Sequence, residues 1–265
     1  MLSKPKMRVI YDCLARKDAQ SPSLDDCLEV GPLLQPLIFD ILTQNRKNRL
    51  CAVLAGIKKA FLQIRIQHVD RDTQRLIWYE DLKKMKLMEL RFTRAIFGSS
   101  SSPYILGATI KKHISKYKDI YPKTVVALEE DTFVDDLKAD RETEKELTRF
   151  KYESTQIFNE PGFQLHKWHS NVRKLENNVE DKSTKMLGHF WNKETDQLSI
   201  EFTTCINIGN KEILTKRKIL SAINSVFDEL GFSAPVLITG KMLYSQLCLL
   251  KIEWDYQIPK ELLEG

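Results

Sequence analysis

The 265-residue chain has no apolar run long enough to span a bilayer; Lys241 breaks the best candidate, Pro235 to Leu250. Its opening, Met1-Leu2-Ser3-Lys4-Pro5-Lys6, lacks the apolar core of a signal peptide. The five cysteines (Cys13, Cys27, Cys51, Cys205, Cys248) are odd in number, scattered, and never spaced C-x-x-C. They offer neither a disulfide framework nor a zinc site, and suit reduced thiols in an intracellular protein. Neither Asp-Thr-Gly nor Asp-Ser-Gly occurs, so the paired carboxylates of an aspartic peptidase have no seat. There is no internal repeat and no low-complexity tract.

What is present describes an ordinary globular chain. Hydrophobic residues at 42% and charged residues at 29% are enough for one large domain or two to three subdomains. The formal net charge of +5 permits a polyanionic partner without demanding one.

Arg8 to Asp12 reads as a short strand, followed by a polar loop through Pro22. Leu33 to Leu42 reads as a helix, with Pro36 tolerable only in its first turn. The continuous apolar run Leu50 to Ala55 suits a buried strand. Phe61 to Ile66 reads as a helical turn merging into a strand. Arg75–Tyr79 and Met88–Thr93 form a predicted hairpin joined by Lys83-Lys84-Met85-Lys86. Ser101 to Tyr121 is helical in pattern, with Pro103 in its first turn and Pro122 after its end; an acidic hairpin comes next. Glu142 to Asn159 is a second amphipathic helix. Phe163–Leu165 and Met186–Trp191 read as strands. Lys216–Leu230 and Pro235–Leu250 read as helices of a mostly helical C-terminal part. The order through the middle is strand, helix, paired strands, helix, strand, which a split βαβ sheet would produce.

The run Phe133-Val134-Asp135-Asp136 carries the most chemistry. Adjacent carboxylates at a tight turn are a ready site for hard divalent cations, which take oxygen ligands. Two such ions can clamp the attacking and leaving oxygens of a phosphoryl transfer. The predicted sheet would place Gly56, at the end of one strand, beside Asp135 and Asp136 at the tip of the next hairpin.

Seven blocks, in order, resemble the reverse transcriptase of BEL/Pao-type long-terminal-repeat retrotransposons. They are Arg8–Asp12, Lys59–Ile64, Phe92–Gly98 with Ser101–Pro103, Phe133–Asp136, Gly162–Trp168, Leu187–Trp191 and Phe227–Pro235. The resemblance implies an α/β (α+β) right-hand polymerase with a ferredoxin-like palm, partial fingers and a mostly helical, thumb-like C-terminal subdomain. It divides the chain into partial fingers (1–50), a palm (51–195) with a fingers insertion at about 67–97, and a thumb or connection (196–265). It implies RNA-directed DNA polymerase activity, Mg²⁺ or Mn²⁺ as cofactor, and an RNA or DNA template-primer and dNTP as partners.

By the same resemblance, Asp135 and Asp136 match the pair that ligates the catalytic metals, with an exposed turn as the plain alternative. Phe61 matches the residue beneath the incoming sugar, where core packing would also explain it. Phe97 and Gly98 match the fingers–palm junction, where a glycine lets backbone approach the nucleotide. Arg8 matches a fingers arginine whose planar fork suits a triphosphate. Lys167 falls where such polymerases place a lysine near the leaving pyrophosphate; a surface lysine reads equally well. Trp191 and its neighbours resemble a primer-gripping hairpin or a buried tryptophan.

The pattern breaks where the family reads Asp-Ile-Glu-Lys-Ala-Phe and this chain has Gly56-Ile57-Lys58-Lys59-Ala60-Phe61. Gly56 replaces the carboxylate that bridges both metals, and Lys58 reverses a charge. Ile96, Ser99, Glu229 and the stretch Leu137–Asp140 are further departures. The expectation is a catalytically impaired copy from a decayed polyprotein, with part of the fingers and any RNase H or integrase segment absent. The alternative is a nucleic-acid-binding or scaffold remnant without catalysis.

Overall fold

The computed structural model describes residues 11–43, 50–176, 181–209 and 213–263. Their elements, in chain order, are α1 (Ile38–Thr43), β1 (Cys51–Ile57), α2 (Ala60–Gln63), β2 (Arg75–Asp81), β3 (Lys86–Arg91) and α3 (Ser102–Ile114). Then come α4 (Pro122–Asp131), β4 (Thr132–Phe133), β5 (Asp136–Arg141), α5 (Glu144–Asn159) and β6 (Leu165–Ser170). The chain continues through β7 (Ser183–Met186), β8 (His189–Asn192), β9 (Gln197–Ser199), α6 (Thr203–Gly209), α7 (Lys216–Asn224) and α8 (Ala234–Leu249). Among the described residues, no helix is long and apolar enough to cross a membrane.

The chain divides into two compact units: 1–36 with 48–168, and 37–47 with 169–265. The first is built on a four-stranded sheet in the order β4-β5-β1-β6. That order is the one a split βαβ unit requires, with the first strand placed between the third and the fourth. β1 is nearly all apolar because both faces are covered; Ala52 and Val53 are fully buried. Helix α5 packs on β1 and β5, and α4 packs on β5 and α5. Leu106, Leu128, Leu147 and Phe158 lose nearly all their exposure, each contributing roughly 1.5–3 kcal/mol relative to solvent. α5 starts at a capping residue: Thr143 accepts from the Glu146 N–H at 3.3 Å.

The second unit holds the antiparallel meander β7-β8-β9 and a helical end. Ile219 and Leu247 meet Ile258 in a small core completed by Ile223, Leu243 and Tyr244. Thr215 caps α7 through the Lys218 N–H at 3.3 Å.

Several local expectations change. The helix expected from Leu33 begins only at Ile38, because the residue before a proline is pushed out of the helical region and Pro36 holds off the start. The helix expected over Ser101–Tyr121 ends at Ile114. Pro122 opens α4 instead of merely following a helix. Its Thr-Val-Val run looks strand-like, yet Thr124, Val125, Ala127 and Leu128 fall on one helical face and are buried. Phe163 and Gln164 precede β6. The strand expected over Met186–Trp191 is a hairpin, turning at Leu187 and Gly188, both with positive φ. α7 stops at Asn224, well short of Leu230. Arg8, Val9 and Ile10 lie outside the described residues, and Tyr11 and Asp12 belong to no strand.

Gly188 has φ +89°, and a Cβ there would stand 2.3–2.8 Å from the Phe227 ring. Gly162 has φ +86° with nothing within 4 Å. Gly188→Ala is expected to cost about 1–3 kcal/mol in denaturant unfolding, and Gly162→Ala less, about 1 kcal/mol. Equal losses would show that Phe227 yields freely.

Candidate functional site

The site forms where β1 and β5 end together. Their antiparallel register runs from Cys51↔Arg141 to Gly56↔Asp136. β4 and β5 close on Phe133↔Asp136, so Val134 and Asp135 make a two-residue turn. Val134 takes φ +54°, a costly setting for a β-branched residue. Such strain is typically on the order of 1–3 kcal/mol and persists where surrounding bonds fix it. Here the Ile57 N–H donates to the Asp135 carbonyl at 2.8 Å, tying the turn to the end of β1.

β6 supplies the third side. The Lys58 N–H donates to the Gln164 carbonyl at 2.9 Å, which brings His166 alongside Gly56. A Cβ built on Gly56 would lie 3.8 Å from Asp136 Oδ1 and 3.7 Å from His166 Nε2, ordinary contact distances. The φ of Gly56 is not in the left-handed region, so nothing in backbone or packing requires glycine there. A Cβ fits here without displacing a neighbour; the chain simply has no side chain at this spot.

Electrostatics follow from the geometry. Burial pushes the Asp135 carboxyl above its usual range, while its own N–H, His166 and Lys167 pull the other way. Burial and then the charge of Asp135 raise Asp136, which Lys167 opposes. His166 is held below its usual value, first by burial, then by Lys167 and Lys58, against the pull of Asp135. Two desolvated carboxylates side by side lack a full counter-charge.

The two-metal centre implied by the sequence does not fit these residues. Asp135 and Asp136 supply oxygens, but position 56 supplies none. Among the described residues, no group of three or more His, Cys, Asp or Glu is placed to hold a metal ion.

The other expected residues are distributed unevenly. Phe61 is buried in α2, and its ring meets Phe97 edge-on at 5.0 Å, so this pair is brought together. Phe97 is about half exposed (45%). Gly98 has φ +92°, and a Cβ there would clash with the Tyr11 carbonyl at 2.7 Å. Its close approach is therefore to the chain's own backbone. Lys167 is exposed on β6 with φ +54°, and its charge reaches both aspartates. Arg8 lies outside the described residues. Sequence reasoning missed His166 as a neighbour of Gly56 and Gln164 as a partner of Lys58. Their signal was present in the Gly162–Trp168 block, where alternation along a strand next to β1 points every second residue toward one face.

Comparisons with known proteins set these observations in context. Residues 215–265 match a family profile described as the Pao retrotransposon-like RNaseH-like domain. This corrects the expectation that no RNase H-named segment is present. Within that span the described elements are α7, α8 and a short 3₁₀ turn, without a named strand. No curated protein matches.

Among solved structures, the foamy viral protease-reverse transcriptase in complex with an RNA/DNA hybrid aligns at TM-score 0.55 and 17% identity. The match covers 80% of this chain and 26% of that one. The foamy viral protease-reverse transcriptase dRH in complex with double-stranded DNA aligns at TM-score 0.60 and 14% identity, over 91% of this chain and 38% of that one. The chain thus shares its mixed α/β fold with part of these proteins and spans less than two-fifths of their length.

A carboxyl whose folded value exceeds its unfolded value of 3.8 stabilises the fold in acid and loses that contribution as pH rises through the folded value. Asp135→Asn is therefore expected to raise the unfolding midpoint at pH 7 and to lose this advantage below pH 3.8. A lowered midpoint at pH 7 would show that the charged form is favoured.

Proposed function

We propose that this chain is the reverse-transcriptase domain of a Pao-type retroelement Pol by descent, with catalysis impaired by the loss of one metal-binding carboxylate. The observation that carries the reading is the pairing of Gly56 with Asp136, where a Cβ would meet Asp136 and His166 at ordinary contact distances. An aspartate there would supply the missing oxygens, and its Cβ would meet no clash.

On this reading, residues 51–195 form a palm with a fingers insertion at about 67–97, residues 1–50 a partial fingers region, and 196–265 a thumb or connection. The strand order β4-β5-β1-β6 and the likeness to part of the foamy viral enzymes support it. The Pao profile over 215–265 supports the retroelement lineage, although its description names that span RNaseH-like and not a thumb. Asp135 and Asp136 are the remaining metal-side residues. Phe61, backed by Phe97, lies under the sugar of a dNTP, and Arg8 and Lys167 address its phosphates. Template-primer, as hybrid or duplex, is the polymer partner; the foamy viral structures carry both kinds.

The chemistry that these residues can perform alone is limited. They bind, orient and exclude water, and Lys167 offers positive charge near a phosphate. Phosphoryl transfer depends almost wholly on positioning and charge stabilisation, so an incomplete acidic centre removes most of the acceleration. A chain that holds an RNA–DNA hybrid without extending it is the second reading. The exposed Lys83 and Lys84, whose backbone N–H groups donate to Asp81 Oδ1 at 2.8 and 3.3 Å, lend this turn positive charge and favour it.

Primer extension with Mg²⁺ or Mn²⁺ tests the proposal, comparing the unmodified chain with Gly56→Asp. The unmodified chain is expected to extend poorly, and the variant to gain about tenfold or more. Hybrid affinity should fall steeply with salt in both. Robust extension by the unmodified chain would overturn the impairment. Absence of hybrid binding at low salt would remove both readings.

A further inference from the structure

β2 and β3 make a sheet of two strands, with no third strand on either edge among the described residues. No backbone bond described for Arg75–Asp81 or Lys86–Arg91 leads outside the hairpin. A hairpin of two strands is marginal in water unless a third strand or a packed face supports it. Neither face of this one is covered over its length. Ile77 and Trp78 are neighbours, so they stand on opposite sides of the pleat, yet both are exposed, at 71% and 55%. Tyr79, Leu87 and Met88 are exposed beside them. An apolar strand with a free edge is a template for another strand.

The two edges differ in what they can accept. β3 reads Lys86-Leu87-Met88-Glu89-Leu90-Arg91. Laid antiparallel against itself in full overlap, it sets Lys86 opposite Arg91 at both ends, and like charges directly opposite destabilise a sheet. β2 reads Arg75-Leu76-Ile77-Trp78-Tyr79-Glu80-Asp81. Laid antiparallel against itself about Trp78, it brings Arg75 of one protomer to the Glu80–Asp81 end of its partner. Ile77 then faces Tyr79, a favourable β-branched and aromatic pair, and Trp78 faces its own copy. Arg75 already bonds Asp72 and Glu89, but its five donors can serve a further carboxylate. The register shift against β3 lies between Tyr79 and Asp81, past the apolar centre of the strand.

We propose that β2 is a self-pairing edge: two copies of this chain join along it, antiparallel about a two-fold axis at Trp78, into one continuous sheet in the order β3-β2-β2-β3. The contact is isologous and closes on itself, so association stops at the dimer. The like charges of β3 oppose further growth from the outer edges. One strand pair buries little surface, so the dimer is weak, with a Kd on the order of tens of micromolar. The inference does not depend on the reading of the acidic turn.

Sedimentation velocity of the full chain, from well below to well above that concentration, is the test. The unmodified chain should pass from monomer to dimer. Trp78→Lys sets two ammonium groups at the axis and should weaken the dimer by about a hundredfold, whereas Leu87→Lys, equally exposed on β3, should change it by under about threefold. Asp81→Lys should weaken the dimer, and Arg75→Glu/Asp81→Lys should recover most of that loss, which damage to the hairpin itself would not allow. A chain that stays monomeric throughout would overturn the inference. So would equal effects of Trp78→Lys and Leu87→Lys, or a charge exchange that recovers nothing. A monomer whose affinity for RNA–DNA hybrid falls in Trp78→Lys would assign the hairpin to nucleic acid and overturn it as well.

Discussion

The pairing of Gly56 with Asp136 at the end of the β1–β5 ladder sets what this site can do. Strand register fixes which side chains share a face, and a slip of one residue would send them to opposite faces. The buried run from Cys51 to Ile57 removes that freedom, since it is packed on both faces and any slip would pull every side chain out of its packing site. Position 56 is therefore held beside the acidic turn whatever residue occupies it. The chain keeps a scaffold that brings three strand ends together, and no side chain stands at position 56.

The rest of the site is organised around that gap. A valine in the left-handed region, between the two-residue β4 and β5, is a strained device, since a hairpin of two strands is marginal alone. It persists because Ile57 bonds to Asp135 and because α4 and α5 pack behind β5. β5 also carries Lys138 and Asp140, paired at 2.5 Å and almost fully buried. Buried pairs of this kind add little net stability but are costly to break, so they favour one arrangement of the strand over others. Lys167 then opposes the effect of burial at both aspartates.

Much of this was legible from residues alone. The apolar run of β1, the acidic turn, the capped amphipathic helix α5 and the basic hairpin turn all declare themselves through period, capping or turn chemistry. The adjacency of Gly56 and the Asp pair followed from element order. What stayed hidden has physical causes. Helix α4 carries the β-branched run Thr124-Val125-Val126, whose strand-like look is overridden by a proline start and by burial of one face. The β7–β8 hairpin turns through Leu187 and Gly188, and a leucine with positive φ leaves no mark in sequence. The approach of Gly98 to the Tyr11 carbonyl, and of His166 to Gly56, are tertiary facts that no local pattern encodes. The profile match over 215–265 named a segment that motif reading had assigned differently.

The most direct measurement is anomalous diffraction at the manganese edge from crystals of the unmodified chain, grown with template-primer and soaked in Mn²⁺. The account predicts no pair of ions beside Asp135 and Asp136. Two manganese peaks roughly 3.5–4 Å apart, bridged by some other oxygen donor, would contradict it.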